Sequence, residues 1–307
     1  MYKQISEGIW SFQELLPFVP SSCRITLNEC HTPVKKVDNI WFKCEYKNPN
    51  GSWKDRGMVY QVAKLMEKSI KEAVISSSGN AAISAAAYCS LASIKLTVFV
   101  SPKINKGKLE LLKKNDNRNL KIIEIKKPLS ASIQYANKIR AYNLRQSKDK
   151  NGTIGYETIA YELKKEIPQL DSVFLAVSSG TALVGIAEGF KKCGFLPAIH
   201  AVQTEAVNPI ASIFDKNFCK KDKSLADAIV ARFTVREDEV INIIRKSKGW
   251  GWVISDNEMK KARSWLIKHD LDCSYEGAAT FAAWQKAKRA GYIYKNPVCI
   301  LSGRYYR

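Results

Sequence analysis

The 307-residue sequence contains only three histidines and no cysteine pair spaced as C-x-x-C. His31, His200 and His269 leave little material for a histidine-based catalytic triad or a histidine-rich metal centre. The eight cysteines are scattered without regular spacing, which argues against a zinc site and a disulfide framework. We therefore expect reduced cysteines and no bound metal.

Long apolar runs are also absent. The longest ones, such as "SVFLAV" and "VCIL", fall far short of the roughly 18 residues that a membrane span needs. The first residues, "MYKQISEGIW", lack the pattern of a signal peptide. The sequence predicts a cytoplasmic protein with no membrane partner.

Two common nucleotide-binding patterns are missing, namely G-x-x-x-x-G-K-[ST] and G-x-G-x-x-G. ATP and NAD are thus poorly supported as ligands. The net charge of +20 would suit a polyanionic partner, but the lysines are dispersed along predicted helices and mixed with acids. No basic run alternates with aromatic residues, so we expect a solvated lysine-rich surface and no nucleic-acid partner.

Short β-branched runs alternate along the chain with segments of helical periodicity, which predicts parallel sheet covered by helices on both faces. The predicted strands are 40–45, 73–76, 95–100, 120–127, 172–177, 198–203 and 297–302. The predicted helices are 54–70, 80–92, 105–115, 129–145, 158–167, 182–193, 258–268 and 277–290.

The length allows two lobes, and the polar, glycine-bearing segment 146–157 is the best candidate for the chain crossing from one lobe to the other. We expect an α/β fold with two lobes of mainly parallel sheet. The larger domain is predicted to comprise residues 1–45 and 145–307, and the smaller one residues 46–144.

Three predicted strands end in small or hydroxylic residues, in "AVISSSGN", "FLAVSSGTA" and "VCILSGR". Ligands of open parallel α/β sheets bind outside the carboxyl ends of the strands, so these turns could converge on one site. Residues 178–182 connect a strand to a helix and offer backbone N–H groups and hydroxyls, which suits a phosphate group. An ordinary serine-glycine turn is the alternative.

Lys54 follows the turn formers "NPNGS" and starts an apolar-periodic helix. The positive end of the helix dipole disfavours an ammonium group there, and Arg56 could add to that effect. A lysine with a lowered pKa is a nucleophile that forms Schiff bases with carbonyl compounds, including pyridoxal phosphate. The alternative is a solvent-exposed lysine of the first helical turn.

Four blocks, taken in order, resemble the fold-type II pyridoxal-phosphate enzymes and, among them, the threonine synthases. "NPNGSWKDRGM" is similar to the block whose lysine forms the Schiff base, which implies this role for Lys54. "SSSGNAAISAAAY" resembles the block whose asparagine contacts the cofactor's 3′ oxygen, which implies Asn80. "VCILSGR" matches the strand whose hydroxyl contacts the pyridine nitrogen, which implies Ser302. "VSSGTALVGI" stands where the phosphate loop belongs, which implies Ser178, Ser179, Gly180, Thr181 and Ala182.

The resemblance covers nearly the whole chain and also implies substrate contacts. Ser77 and Ser78 are expected to receive the substrate carboxylate, and Ser84 matches a serine that binds the substrate phosphate.

Several positions depart from the family: Gly152 falls where an arginine is usual, Glu157 where a lysine is usual and Ala81 where a threonine is usual. The phosphate loop has serines where glycine and asparagine are usual, and Arg145 or Lys150 could replace the arginine if the loop were shifted. Loss of positive charge near a dianionic group weakens its binding.

The implied activity is that of a lyase in amino-acid biosynthesis, which eliminates phosphate from O-phosphohomoserine and adds water to give threonine. The altered phosphate region leaves a second hypothesis open, a β-elimination or β-replacement enzyme acting on serine, threonine or an activated serine. Both require pyridoxal 5′-phosphate, with Lys54 as the catalytic residue. The resemblance further implies a homodimer.

Overall fold

The computed structural model describes residues 8–77, 79–114 and 118–306, which form two compact units. The first unit contains residues 8–30, 48–155 and 306, and the second contains residues 31–47 and 156–305. Both combine helices with mainly parallel sheet, so the predicted α/β fold class is confirmed.

The strands of the described residues are β1 (Val34–Val37), β2 (Ile40–Lys43), β3 (Glu72–Ser76), β4 (Lys95–Val100), β5 (Leu120–Glu124), β6 (Tyr142–Asn143), β7 (Ser172–Ala176), β8 (Ala198–Thr204), β9 (Gly251–Ile254) and β10 (Pro297–Ile300). The α-helices are α1 (Lys54–Glu67), α2 (Asn80–Leu91), α3 (Lys106–Lys114), α4 (Pro128–Ile139), α5 (Glu157–Glu166), α6 (Thr181–Lys192), α7 (Ala211–Phe214), α8 (Glu237–Lys246), α9 (Asp256–Lys268) and α10 (Tyr275–Arg289).

The first unit is built on a parallel sheet with the strand order β5-β4-β3-β6. Val74 and Phe99 on this sheet pack with Ala136 of α4 in a small apolar core. Helices α1 and α2 contact each other, and α2 also contacts β4. Alanines at 82, 85 and 86 are buried on α2, and their small side chains allow the close approach of a neighbouring helix.

The second unit contains a sheet with the order β1-β2-β10-β7-β8-β9. Its pairs are parallel except for β1 with β2, which form an antiparallel edge hairpin. Helix α10 packs on β7, β9 and β10 and carries Phe281 into a large apolar core with Phe42 and Phe174. The sheet therefore holds the ends of β7 and β10 side by side on a packed support.

The two units differ in extent from the predicted domains. Residues 8–30 group with the first unit rather than with the larger domain predicted over 1–45 and 145–307. The chain passes into the second unit after Gly155, so residues 145–155 also belong to the first unit instead of ending at the predicted boundary of 46–144. The function assigned to each domain stays a prediction.

Helix lengths follow local backbone signals. The helix predicted over 129–145 ends at Ile139, because Arg140 adopts a left-handed conformation with φ of 55° and caps it. Helix α9 begins with a capping box in which Ser255 and Glu258 satisfy each other's backbone N–H groups. Among the helices of the described residues, none has both the length and the apolar character needed to cross a membrane.

Candidate active site

Lys54 is the first residue of α1, and its side chain is half-buried. The Lys54 Nζ atom donates a hydrogen bond to Oε1 of Gln146 at 3.3 Å. Burial lowers the pKa of Lys54 to about 8. Roughly a fifth of the amine is therefore neutral near physiological pH and able to act as a nucleophile.

The turn that precedes Lys54 is fastened to α1 by the carboxylate of Asp55. Asp55 accepts from the backbone N–H of Asn50 at 2.7 Å and from its side-chain amide at 2.9 Å. The Ser84 hydroxyl of α2 donates to the same carboxylate at 2.6 Å. Burial raises the pKa of Asp55 to about 7, while these hydrogen bonds oppose the increase.

Residues 145–152 form a folded loop of the first unit. The Asp149 carboxylate accepts hydrogen bonds from Nε2 of Gln61 at 2.7 Å and from the Tyr142 hydroxyl at 2.9 Å. The Gly152 N–H donates to the Asp149 carbonyl at 3.0 Å, which closes a turn. A Cβ atom added to Gly152 would lie 2.3 Å from the carbonyl oxygen of Gln146. The backbone path therefore leaves no space for a side chain at position 152.

The end of β3 leads into α2 through the first of the three polar turns. The Ser77 hydroxyl accepts from the N–H of Gly79 at 3.2 Å, and Asn80 begins the helix. The Asn80 Oδ1 atom is buried and has no hydrogen-bond partner in the described part of the chain. Ser78, predicted to bind the substrate carboxylate, lies outside the described residues. An unsatisfied buried amide at a helix start is consistent with a ligand contact.

The second polar turn connects β7 to α6 in the second unit. Gly180 has φ of 82°, and a Cβ there would lie 2.6 Å from Val240, so both its conformation and its packing require glycine. The hydroxyls of Ser179 and Thr181 lie 3.0 Å apart at the start of α6. Ala182 follows in the first turn of this twelve-residue helix. The arrangement presents backbone N–H groups and hydroxyls, as a phosphate site requires.

Residues 230–234 hold this phosphate-loop candidate in place. The Ser178 hydroxyl oxygen accepts from the N–H groups of Val230 and Ala231, each at 3.2 Å. The Thr234 hydroxyl donates to the Ser179 carbonyl at 2.5 Å. The Ser178 hydroxyl proton remains available to donate to an anion, because the two contacts use only its acceptor capacity.

The third polar turn follows β10, which is the parallel neighbour of β7. Ser302 is buried two residues beyond the strand. Because parallel neighbours end at the same edge of a sheet, the turn at 178–182 and Ser302 lie at one edge of the second unit. The structure thus brings two of the three predicted turns together, while the turn at 77–80 belongs to the first unit.

Glu157, which stands where a lysine is usual in the family, begins α5. Its carboxylate accepts hydrogen bonds from the Tyr161 hydroxyl at 2.7 Å and from Nζ of Lys192 at 2.5 Å. The charge of Glu157 is therefore compensated within the second unit.

The residues of each unit, taken separately, fit a pyridoxal-phosphate group. The first unit has a lysine with a lowered pKa and an asparagine whose buried Oδ1 has no partner among the described residues, and the second unit has a glycine-dependent anion loop. Residues 25–303 match the protein family described as pyridoxal-phosphate dependent enzyme. The chain belongs to this family. The cofactor is therefore pyridoxal 5′-phosphate, as predicted.

Individual relatives agree with this family. Threonine synthase of Methanocaldococcus jannaschii is 26% identical over 96% of this chain and 80% of its own length. Threonine synthase of Halalkalibacterium halodurans is 27% identical, with coverage of 95% and 87%. The structure of maize serine racemase superposes with a TM-score of 0.82 at 20% identity, covering 98% of this chain and 94% of that one. The chain is thus a fold-type II pyridoxal-phosphate enzyme that is similar to threonine synthases.

Gln146, Asp55 and Asn50 contact or support Lys54, but the sequence patterns predict no role for them. Gln146 contacts the Lys54 amine, and Asp55 with Asn50 fastens the turn before it. Gln146 is the first residue of the segment 146–152, in which the arginine usual in the family is missing. That departure is the one feature of the sequence that points to this segment. Its contact with a lysine 92 positions earlier depends on how the loop 145–152 folds.

Proposed function

We propose that this pyridoxal-phosphate enzyme is a carbon–oxygen lyase of the threonine synthase type. It would eliminate phosphate from O-phosphohomoserine and add water to give threonine. The proposal rests on Lys54, whose lowered pKa allows its amine to be neutral. It is supported by the similarity of this chain to threonine synthases over nearly its full length.

The cofactor, when bound, supplies an electron sink that stabilises the carbanion formed at the substrate's α-carbon. Lys54 would hold the cofactor covalently and, once released by the amino-acid substrate, remove the α-proton. The pKa of about 8 suits a group that must accept a proton and return it. Asn80 and Ser302 would contact the cofactor ring, and residues 178–182 its phosphate, at the helix start where anions are favoured.

Ser302 would be a neutral partner for the ring nitrogen. A hydroxyl, unlike an aspartate, leaves that nitrogen largely unprotonated, which resembles the elimination and replacement enzymes of this fold. In the first unit, Ser77 and Ser78 would receive the substrate carboxylate. Each assignment is supported by the residue's position in its motif.

A second candidate is a β-elimination or β-replacement enzyme that acts on serine, threonine or an activated serine. It is favoured by the loop 145–152. The Lys54 amine contacts the neutral Gln146, and position 152 has no space for a cation. The cations of this loop are Arg145, Lys148 and Lys150, and the latter two are exposed. Position 152, where the family has an arginine, therefore offers no charge-assisted contact to a dianionic phosphate, and this favours a small, uncharged leaving group.

A parallel assay distinguishes the two. The enzyme is incubated with O-phosphohomoserine, serine, threonine and O-phosphoserine, and phosphate, threonine and 2-oxo acid are measured. Threonine and phosphate from the first substrate are expected for the threonine synthase type. Their absence, with 2-oxo acid formed from serine or threonine, would transfer the assignment to the second candidate.

The role of Lys54 is tested separately. Borohydride reduction of the cofactor-loaded protein followed by peptide mass analysis is expected to find the cofactor mass on Lys54. Lys54→Ala should abolish both this adduct and turnover. Lys64→Ala is the matched control, because Lys64 lies on the same helix and pairs with Glu67 at its far end. A Lys54→Ala protein with parental turnover would reject the catalytic assignment.

A further inference from the structure

Ser84 is a buried residue of α2, and its hydroxyl proton forms a hydrogen bond within the protein. Its side chain has no solvent exposure, and Oγ lies 2.6 Å from Oδ1 of Asp55, which is equally buried. Above its pKa of about 7, Asp55 is ionised and has no proton to donate, so the Ser84 hydroxyl is the donor of this bond. Hydrogen bonds to charged groups are among the stronger side-chain contacts in proteins.

Asp55 also forms hydrogen bonds to the turn that precedes α1, so it connects Ser84 to this turn. Its Oδ2 accepts from the backbone N–H of Asn50, and its Oδ1 accepts from the Asn50 amide as well as from Ser84. The N–H of Gly51 bonds to the Asn48 carbonyl at 2.8 Å, which closes the same turn. The path from Ser84 thus ends at the backbone that sets the position of Lys54.

We propose that Ser84 is a positioning residue, which acts through Asp55 and the Asn50 turn to hold the Lys54 amine in place for reaction with the cofactor. The inference rests on the proposed role of Lys54 and is independent of the substrate. It gives Ser84 a different role from the substrate-phosphate contact that the family resemblance implies.

The positioning role and the substrate-phosphate contact require the Ser84 hydroxyl to donate to different acceptors. To donate to a substrate phosphate, Ser84 would have to release Asp55 and leave a buried carboxylate with one donor fewer. Loss of a partner by a buried charged group is costly. As a positioning residue, Ser84 keeps its present bond at every stage and needs no exposure to substrate.

Attachment of the cofactor provides a test that involves no substrate. In this reaction the Lys54 amine would form a C=N bond with the aldehyde carbon of added pyridoxal phosphate, and the aldehyde oxygen would leave as water with the two amine protons. The rate is followed by visible absorbance after pyridoxal phosphate is added to the cofactor-free full-length protein. We expect Ser84→Ala to slow attachment about tenfold, the size of one lost hydrogen bond to a charged group. Ser84→Cys, with a weaker donor of similar size, should give an intermediate rate.

Ser132→Ala is the matched control for burial. Ser132 is also fully buried in the first unit, but its hydroxyl donates to the Leu129 carbonyl at 2.8 Å, within α4. We expect this variant to attach the cofactor at the parental rate. An equal slowing of both alanine variants would overturn the positioning role, since it would point to general destabilisation.

A double-mutant cycle with Asp55→Asn tests the path itself. If Ser84 acts through Asp55, removing its hydroxyl in the Asp55→Asn background should cost less than twofold in attachment rate. Additive effects of the two changes would contradict the proposed path.

Steady-state kinetics complete the test with whichever substrate the parallel assay identifies. A positioning role predicts that Ser84→Ala lowers kcat about tenfold and changes KM less than twofold. A raised KM with parental attachment kinetics would overturn the inference and favour the substrate contact, while leaving the assignment of Lys54 intact. Failure to find any cofactor on Lys54 of the parental protein would instead reject the proposed function, and the inference with it.

Discussion

The Nζ atom of Lys54 donates a hydrogen bond to Oε1 of Gln146, 92 residues away in the chain, at 3.3 Å. An amide oxygen is a neutral partner, so it stabilises the ammonium form less than a carboxylate would and leaves burial as the dominant influence on the amine. This relationship accounts for a lysine that is both fixed in position and ready to lose its proton.

Replacing Gln146 with leucine is expected to lower the pKa of Lys54 below about 8, because the ammonium form loses one hydrogen-bond acceptor while the burial persists. The pH dependence of amine labelling in the cofactor-free protein, read by peptide mass analysis, reports this pKa directly. Lys148→Met in the same loop is the control, since Lys148 is exposed. A midpoint that rises in Gln146→Leu would contradict the expected direction.

Asp55 is expected to contribute a pH-dependent term to stability. Its pKa is about 7 in the folded protein against an ordinary 3.8, so the folded state binds more protons than the unfolded state from about pH 4 to pH 7. The contribution is therefore fully present below pH 4 and is lost as the pH rises through 7.

Asp55→Asn removes this titration. The free energy of unfolding of the parental protein minus that of Asp55→Asn should fall as the pH rises from 4 to 7 and level off above. Urea unfolding at several pH values measures this difference. A difference that stays constant across the range would show that Asp55 has the same pKa in both states.

Restoring the family's arginine at position 152 is expected to be harmful. Gly152→Arg places a Cβ 2.3 Å from the carbonyl oxygen of Gln146, and overpacking of this kind costs about 1–3 kcal/mol. The free energy of unfolding should fall by that amount, and turnover should fall because Gln146 is displaced.

Lys148→Arg provides the control for position 152, since a conservative change at an exposed site should alter stability by less than about 0.5 kcal/mol. Improved use of O-phosphohomoserine by Gly152→Arg would instead show that the loop can be rebuilt to hold phosphate. That result would weaken the argument for the second candidate function.

Gly180→Ala tests the anion loop of the second unit. Alanine at φ of 82° is strained, and its Cβ would also lie 2.6 Å from Val240, so we expect a loss of about 2–4 kcal/mol and weaker cofactor binding. Gly194→Ala separates the two causes, because Gly194 has φ of 81° with no atom within 4 Å of the added Cβ.

Gly194→Ala should lower the free energy of unfolding only through backbone strain, by about 1 kcal/mol, and should bind pyridoxal phosphate as the parent does. Unfolding with and without added cofactor measures both quantities. Equal cofactor affinity in Gly180→Ala and the parent would remove the support for a phosphate site at 178–182.

Most of the parallel strands and the helices that alternate with them were predictable, because burial imposes periodicity on the residues themselves. The strand at 95–100 was predicted with the bounds that the structure has, and the helices starting near 54 and 80 are confirmed. Strand β1 was not predicted. It lies in an edge hairpin, and its two lysines interrupt the apolar pattern by which a strand is recognised. Helix α8 and strand β9, in a region left without prediction, complete the second sheet and its flank.

The fold class, the family and the cofactor could be inferred from the sequence, because they depend on residue types at fixed spacing along short motifs. The side chains that surround Lys54 could be identified from the packed structure alone. Gln146 reaches the amine, Ser84 bonds to Asp55, and Gly152 lies against a carbonyl, all through contacts between distant segments. Such contacts depend on how the loop 145–152 and helices α1 and α2 pack, and packing distances leave no periodic trace in the sequence.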